Sequence, residues 1–261
     1  ALECLKKLRA IKKKGRENME KIAQPWEKKN LGVNSVEFRF DGTEKIEEIG
    51  NDVLAETEFD YQLCRVPVGR MDIMYLLQEN GFRFAETSFE LSADLKNLTL
   101  PKVYERYEES IHYCKLEGIE EEEKLYSLIR SGIFDTDKIY LDPFFKKEQS
   151  GVRFANWCQQ EVSAGRATCY TVESGEEKIG FFVIKEVSDK VSDSLLAGLY
   201  DNKKSIGMGF AVLYYPMLKA KMDGKRRMVT AVSSNNPSSV RLHLELGYKI
   251  KAMNYVLIKH I

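Results

Sequence analysis

Apolar positions recur along this chain with two periods, and the periods change at recognisable punctuation. Leu2, Leu5, Leu8 and Ile11 fall at helical spacing, and Met19 and Ile22 continue the face, so residues 2–22 are predicted helical with Pro25 as the stop. Val36, Phe38 and Phe40 alternate as in a half-buried strand, followed by the turn pair Asp41-Gly42. Ile46, Ile49, Val53 and Leu54 predict a helix, Tyr61 to Val66 a strand, and Arg70 to Glu79 a helix stopped by Asn80-Gly81. Phe82 to Leu91 is a third strand, and Asp94 to Pro101 reads as a linker. Strands alternating with helices predict an α/β unit.

The second half has more strands. One lies within residues 102–116; the acidic run Glu120 to Glu123 then opens a helix whose apolar face is Leu125, Leu128 and Ile129. Carboxylates suit the positive end of a helix dipole, so this run reads as solvated structure. The segment Ser131 to Phe145 is aromatic and irregular, consistent with a substrate-facing loop or with ordinary loop packing. Phe154, Trp157, Cys158 and Val162 mark another amphipathic helix, and Thr168 to Val172 and Ile179 to Val187 a hairpin about Ser174-Gly175. Next come an apolar strand at Leu195 to Tyr200, a polar glycine-containing loop, a helix, a strand at Met228 to Val232, and a helix opened by Asn236-Pro237 and closed by Gly247. A strand at Ala252 to His260 ends the chain. Pro216 falls inside the first of these last two helices, where it would kink the helix or end it early. The division expected is a basic helix over 1–25, a small α/β domain over 26–97 and a larger domain over 98–261 with a mixed sheet.

Composition narrows the functional classes. The 261 residues are 43% hydrophobic, enough for a sizeable core. Forty basic and forty acidic side chains leave no net charge, so nucleic acid is not an expected partner. The lysines near the N-terminus read as a solvated helix face rather than a nucleic-acid or membrane arm. No apolar run approaches the roughly 20 residues of a membrane span and no secretory signal is apparent, so a cytoplasmic protein is expected. The five scattered cysteines (Cys4, Cys64, Cys114, Cys158, Cys169) read as small buried hydrophobes, and with only His112, His243 and His260 no metal is expected.

The candidate chemistry lies between Ser194 and Tyr248. A strand feeds Lys204-Ser205-Ile206-Gly207-Met208-Gly209, which opens a helix. Amides of such a turn point at an anion, and the helix dipole favours it. A lone GxG is a weak signal, but strand before and helix after strengthen it. The loop resembles the pyrophosphate loop of the GNAT acetyltransferases, Gln/Arg-x-x-Gly-x-Gly/Ala, with Lys204 at the Gln/Arg position. Asn236, Arg241-Leu242 and Leu246-Gly247-Tyr248 resemble the second motif helix of that family, although Asn236 as N-cap and Pro237 as first helical residue also explain themselves by capping. Trp26-Glu27, Leu31-Gly32, Arg65-Val66-Pro67, Leu76-Leu77, Gly81-Phe82 and Glu86-Thr87, followed by Ser131, Phe134, Asp142-Pro143 and Trp157, are similar to the dTDP-fucosamine acetyltransferases. Those enzymes join a small N-terminal α/β domain to a GNAT domain.

The resemblance implies a GNAT fold after a smaller domain, acetyl-CoA as co-substrate, and transfer of acetyl to a primary amine, most similar to that of a nucleotide-linked amino sugar. It implies that Lys204, Ser205, Ile206, Gly207, Met208 and Gly209 hold the pyrophosphate. Backbone near Ala197 to Leu199 would meet the pantetheine, which Asn236 borders. A developing oxyanion needs fixed donors, and the leaving thiolate needs a proton. In the family a tyrosine on the last helix supplies that proton; here the position is His243, a general acid of lower pKa. Tyr248 is another candidate acid, Glu186 or an ordered-water route a candidate base. The substitution at His243 keeps a second reading open, an acyl-CoA-binding module impaired in catalysis. A hydrolase on Ser239 and His243, neighbours at four-residue spacing, lacks an orienting acid. A homodimer is left open.

Overall fold

Ile179 to Ile184 is an apolar run, and it forms the middle of a sheet covered on both faces. The computed structural model describes residues 19–201 and 203–261. The chain up to Ala85 together with Asn254–Ile261 forms one unit, and Glu86–Met253 forms the other.

The first unit contains β1 (Met19–Ala23), α1 (Trp26–Leu31), β2 (Ser35–Phe40), α2 (Ile46–Ile49, continued as a wider turn through Leu54), β3 (Tyr61–Pro67) and α3 (Met71–Glu79). β1 pairs antiparallel with β2, and β2 pairs parallel with β3. Val36, Phe38, Phe40, Cys64 and Val66 leave one face of these strands and are covered by Ile49, Val53, Ile73 and Leu77 from the helices. The expected helix over 2–22 lies mostly outside the described residues, and its last part is corrected. Met19 to Ala23 is a strand because β2 offers a free edge, and pairing along that edge outweighs local helical spacing. Pro25 therefore does not end a helix but stands at the N-cap of α1.

The second unit contains β4 (Arg83–Asp94, from Glu86 on), a 3₁₀ turn at Lys102–Tyr107, β5 (Ile111–Lys115), α4 (Ile119–Arg130), α5 (Lys138–Leu141), α6 (Lys147–Ser163), β6 (Ala167–Ser174), β7 (Glu177–Ser188), β8 (Val191–Leu199), α7 (Gly209–Met222), β9 (Arg227–Ser233), α8 (Pro237–Glu245) and β10 (Lys249–His260, up to Met253). The strand order is β4-β9-β8-β7-β6-β5. All neighbours are antiparallel except β8 and β9. One face of this sheet carries Phe182, Ile184 and Tyr170 against Phe210, Leu213, Tyr214 and Met217 of α7. The other carries Phe181, Val183 and Leu196 against Tyr126, Ile129, Ala155 and Cys158 of α4 and α6. A helix as apolar all round as α7 belongs in the interior, and it runs unbroken through Pro216, so neither an early end nor a stop is observed there.

Two features cross the division expected at residue 97. β4 pairs with β9 along seven residues, Ser88↔Ser233 to Asp94↔Arg227, so it is part of the second unit's sheet. The end of β10, Asn254 to His260, pairs antiparallel with β3 in the first unit.

Candidate active site

The site is built on an interruption of the sheet. β8 and β9 pair parallel only at Val191↔Arg227, Ser192↔Met228 and Asp193↔Val229. Both strands continue for several residues, but no ladder pair joins them further. At the fork the Thr230 hydroxyl donates to the Ser194 carbonyl, 3.0 Å away. A bulge lies at the same place: Ile184 pairs with Ser194 and Val183 with Leu196, leaving Leu195 as an extra residue. Bulges re-aim the residues that follow. Past this one, Ala197 and Leu199 turn toward the α7 core, and Leu196 joins the opposite one.

Beyond β8 the chain turns through residues 203–208 into α7. Asp201 organises the turn by accepting from the amides of Lys203 (2.8 Å) and Lys204 (3.2 Å), and Ser205 donates its amide to the Asp201 carbonyl (3.0 Å). Gly207 has φ +84°, the left-handed region where an L side chain is strained, and a Cβ there would meet nothing within 4 Å. This glycine is conformationally required, and the space beside it is open. Gly180 is required for a different reason. A Cβ on it would lie 2.6 Å from Val212 Cγ1 and from the Gly198 carbonyl oxygen, so its absence lets α7 lie directly on β7 and β8. Ser205 is buried, whereas Lys204, Ile206 and Gly207 are exposed. The six residues expected to hold an anion thus form one turn at the N-terminus of a 14-residue helix.

Asn236 accepts a hydrogen bond from the Ser239 amide (3.0 Å) and caps α8, the capping role its position predicts. α8 meets α7 where a Gly209 Cβ would lie 3.4 Å from Leu242. His243 is buried on α8, its ring 5.0 Å from that of Tyr248 and nearly perpendicular to it. Its Nδ1 lies 2.8 Å from the Ser239 carbonyl oxygen, which can only accept, so Nδ1 carries the hydrogen. Burial pushes the His243 pKa below its usual value, against the raising effect of that hydrogen bond. The imidazole is therefore neutral at pH 7, with the Nε2 lone pair available. A resting neutral ring is a proton acceptor first, which limits the general-acid role expected for it. The Ser239 hydroxyl lies 3.3 Å from Nδ1, but Nδ1 is occupied as a donor, which removes the base a serine nucleophile would need.

One group that composition did not single out has a perturbed pKa. Asp193 sits at the last β8–β9 pair and directly across from Lys185 on β7. Burial pushes its pKa up to about 6; Lys185 opposes this, and the Glu161 charge adds to it. Lys185 is itself buried, with Nζ 2.7 Å from Glu161 Oε2, which also accepts from Arg166 Nε at 2.8 Å. Burial raises the Glu161 pKa, but these two cationic donors outweigh it and hold the carboxyl below its ordinary value. Lys185 is thus committed to Glu161 more than to Asp193. Burial raises the Tyr248 pKa strongly, and the Asp193 carboxylate adds to the effect, so the phenol keeps its proton. Glu186 is the carboxylate that the sequence offers as one candidate base. It is opposite Ser192 at the closed end of the fork, 69% exposed and 3.0 Å from Lys225 Nζ.

The irregular segment after α4 reaches the open end. Asp137 caps α5 through the Ile139 amide (3.0 Å) and accepts from the Ser150 hydroxyl (3.0 Å). Lys138 Nζ lies 4.0 Å from Glu86, whose other oxygen accepts from Ser233 at the end of β9 (2.6 Å).

The fold recurs in solved structures. A functionally unknown conserved protein from Staphylococcus epidermidis aligns with TM-score 0.63 and 11% identity, covering 95% of this chain and 93% of that one. A GCN5-related N-acetyltransferase from Sphaerobacter thermophilus aligns with TM-score 0.61 and 10% identity over 93% of this chain and 76% of its own. The fold is that of the GCN5-related N-acetyltransferases. A glucosamine N-acetyltransferase region of a fungal multi-domain β-N-acetylglucosaminidase has the same acetyltransferase fold, with TM-score 0.57 and 11% identity over 92% of this chain and 30% of that larger protein. No protein-family model matches the sequence, and no curated protein matches it.

Proposed function

We propose that this chain is an N-acetyltransferase that moves acetyl from acetyl-CoA to a primary amine, with a nucleotide-linked amino sugar as acceptor class. The observation that carries the reading is the fork after Asp193↔Val229, followed along the chain by the left-handed Gly207 turn that opens α7. In this reading the amides of Ser205 to Gly209 bind the pyrophosphate, with Lys204 as a nearby cation. Backbone of Ala197 and Leu199 binds the pantetheine as an added strand, and Asn236 borders it. Asp193 takes the proton from the ammonium form of the acceptor, a role suited to a carboxylate with a pKa of about 6. The neutral amine attacks the thioester carbonyl and the C–S bond breaks. His243 Nε2 accepts the second proton from the attacking nitrogen and passes it to the leaving thiolate, so a neutral imidazole serves as relay. Lys138 and Glu86 flank the acceptor at the open end. The amino-sugar class is supported by the motif resemblance at Arg65-Val66-Pro67, Gly81-Phe82 and Glu86-Thr87, and by the glucosamine-acetylating structural neighbour.

The burial of a histidine at the family's tyrosine position supports a second reading, an acyl-CoA-binding module without turnover. Thiol release from acetyl-CoA against a panel of free and nucleotide-linked amino sugars, paired with calorimetric binding of acetyl-CoA, separates the two. Turnover supports the enzyme. Binding with no release across the panel supports the module, and no binding refutes both.

A further inference from the structure

Three histidines and five scattered cysteines argue against a metal site by count, but strand register brings distant positions together. β5 and β6 are antiparallel, with His112 opposite Glu173 and Cys114 opposite Thr171. His112 and Cys114 are two residues apart, so their side chains leave the same face of β5, and a directly opposed residue shares that face. His112 Nε2 lies 3.0 Å from Glu173 Oε2, and one ligand atom from each of His112, Cys114 and Glu173 lies within 4.8 Å of the others. His112 and Cys114 are exposed and Glu173 is half-buried. Among the described cysteines Cys64, Cys158 and Cys169 are buried, so Cys114 alone of these offers its sulfur to solvent.

We propose that His112, Cys114 and Glu173 bind one borderline divalent cation, with Zn²⁺ as its type. Imidazole nitrogen, thiolate and carboxylate are the donors that zinc takes, and three protein ligands leave a fourth position for water. Tetrahedral bonds of about 2.0–2.3 Å set ligand atoms about 3.3–3.6 Å apart, a contraction that exposed side chains reach by rotation. Binding exchanges water ligands of the ion for the three donors and releases the Cys114 thiol proton to solvent. The thiolate and carboxylate then balance the two positive charges. Before binding, Nε2 carries the hydrogen that Glu173 accepts; on binding the ring takes its Nδ1–H tautomer, and two bonds to the ion replace the hydrogen bond.

The position gives the site a structural consequence. β5 is the outer strand of the second unit's sheet order. Tyr113, between the two β5 ligands, faces the other way, with its ring 5.6 Å from Phe182 and 5.7 Å from Tyr215 of α7. The Tyr215 hydroxyl donates to the Ile111 carbonyl (2.9 Å). A cation tying β5 to β6 therefore braces the strand against which α7 packs. This inference is independent of the acetyl-transfer reading.

The test uses the full chain, stripped with a chelator, reduced, and titrated with Zn²⁺ in competition with a chromophoric chelator. One tight equivalent is expected. His112→Ala and Cys114→Ser should each weaken binding about 100-fold or more, since loss even of a group that only orients a ligand costs 10–100-fold. Millimolar Mg²⁺ should not compete, because it prefers an all-oxygen shell. Co²⁺ in place of Zn²⁺ should give a thiolate charge-transfer band that disappears in Cys114→Ser. Unchanged zinc affinity in a double His112→Ala/Cys114→Ser variant, or a cobalt complex without that band, overturns the assignment.

Discussion

Replacing Asp193 by Asn tests the physical core of the site, because one substitution should move stability and turnover in opposite directions. The folded pKa of about 6 lies above the ordinary carboxylate value of 3.8. A carboxyl whose pKa is raised by folding favours the native state only in its neutral form. That contribution is complete below about pH 4, is lost as pH rises through about 6, and stays lost above. At 1.36 kcal/mol per pH unit, the displacement amounts to about 3 kcal/mol. Asp193→Asn keeps the shape and does not ionise, so the variant should match the native protein near pH 4 and exceed it by up to about 3 kcal/mol at pH 8. Urea unfolding at both pH values, compared at a common slope, measures this. Turnover should fall by 10²–10⁴-fold, the usual scale for loss of a general base. The pH dependence of kcat/KM near 6 should vanish with it; the titration of the acceptor amine is common to both proteins and cancels in their ratio. A stability difference that stays flat from pH 4 to 8 would mean that Asp193 is ionised and hydrated in the native state, and the argument from burial would fail. A stability gain with wild-type turnover would leave the electrostatics intact but remove Asp193 from the chemistry.

Gly207→Glu should abolish the rise in melting temperature that acetyl-CoA produces, because it puts a side chain and a negative charge into the left-handed turn; an undiminished shift in the folded variant, seen by thermal denaturation, would place the anion elsewhere. His243→Phe should lower kcat by about 10²-fold with little change in acetyl-CoA affinity, and His243→Tyr should restore part of it; steady-state kinetics with calorimetry checks both, and wild-type kcat in the phenylalanine variant would make the histidine structural. Glu161→Ala should destabilise the protein by about 3–5 kcal/mol in urea unfolding, because it strands the buried Lys185 ammonium; a loss below 1 kcal/mol would show that Asp193 takes over as partner.

What the sequence discloses about this site, and what it hides, follow from the range of the forces involved. The Lys204–Gly209 turn and the Asn236-Pro237 start of α8 are local devices. A left-handed glycine and a side-chain cap satisfy constraints within a few residues, so their types report them directly. The strands β2, β3 and β9 are legible for the same reason, since alternation or an apolar run is a property of neighbours in the chain. β4 is legible as a strand but not as the partner of β9, because nothing within Phe82 to Leu91 encodes a pairing with residues 227–233. A boundary drawn at residue 97 would thus strip β9 of one neighbour, and a fragment over 98–261 would lack a strand of its own sheet.

The perturbed carboxylate is the harder case. Its signal was present: Lys185 follows Phe181-Phe182-Val183-Ile184, Asp193 precedes Leu195-Leu196, and a charge inside an apolar strand is costly unless paired. Burial sets the sign of the Asp193 shift, and Glu161, which α6 brings to Lys185 from 24 positions upstream and which engages the ammonium at 2.7 Å, adds to it. The pKa of the strand-borne aspartate is therefore set by packing, including that of a helix on the other face of the sheet from α7, and not by its neighbours in the chain. The cofactor half of the candidate site is written locally, and the proton-transfer half only in the packed core.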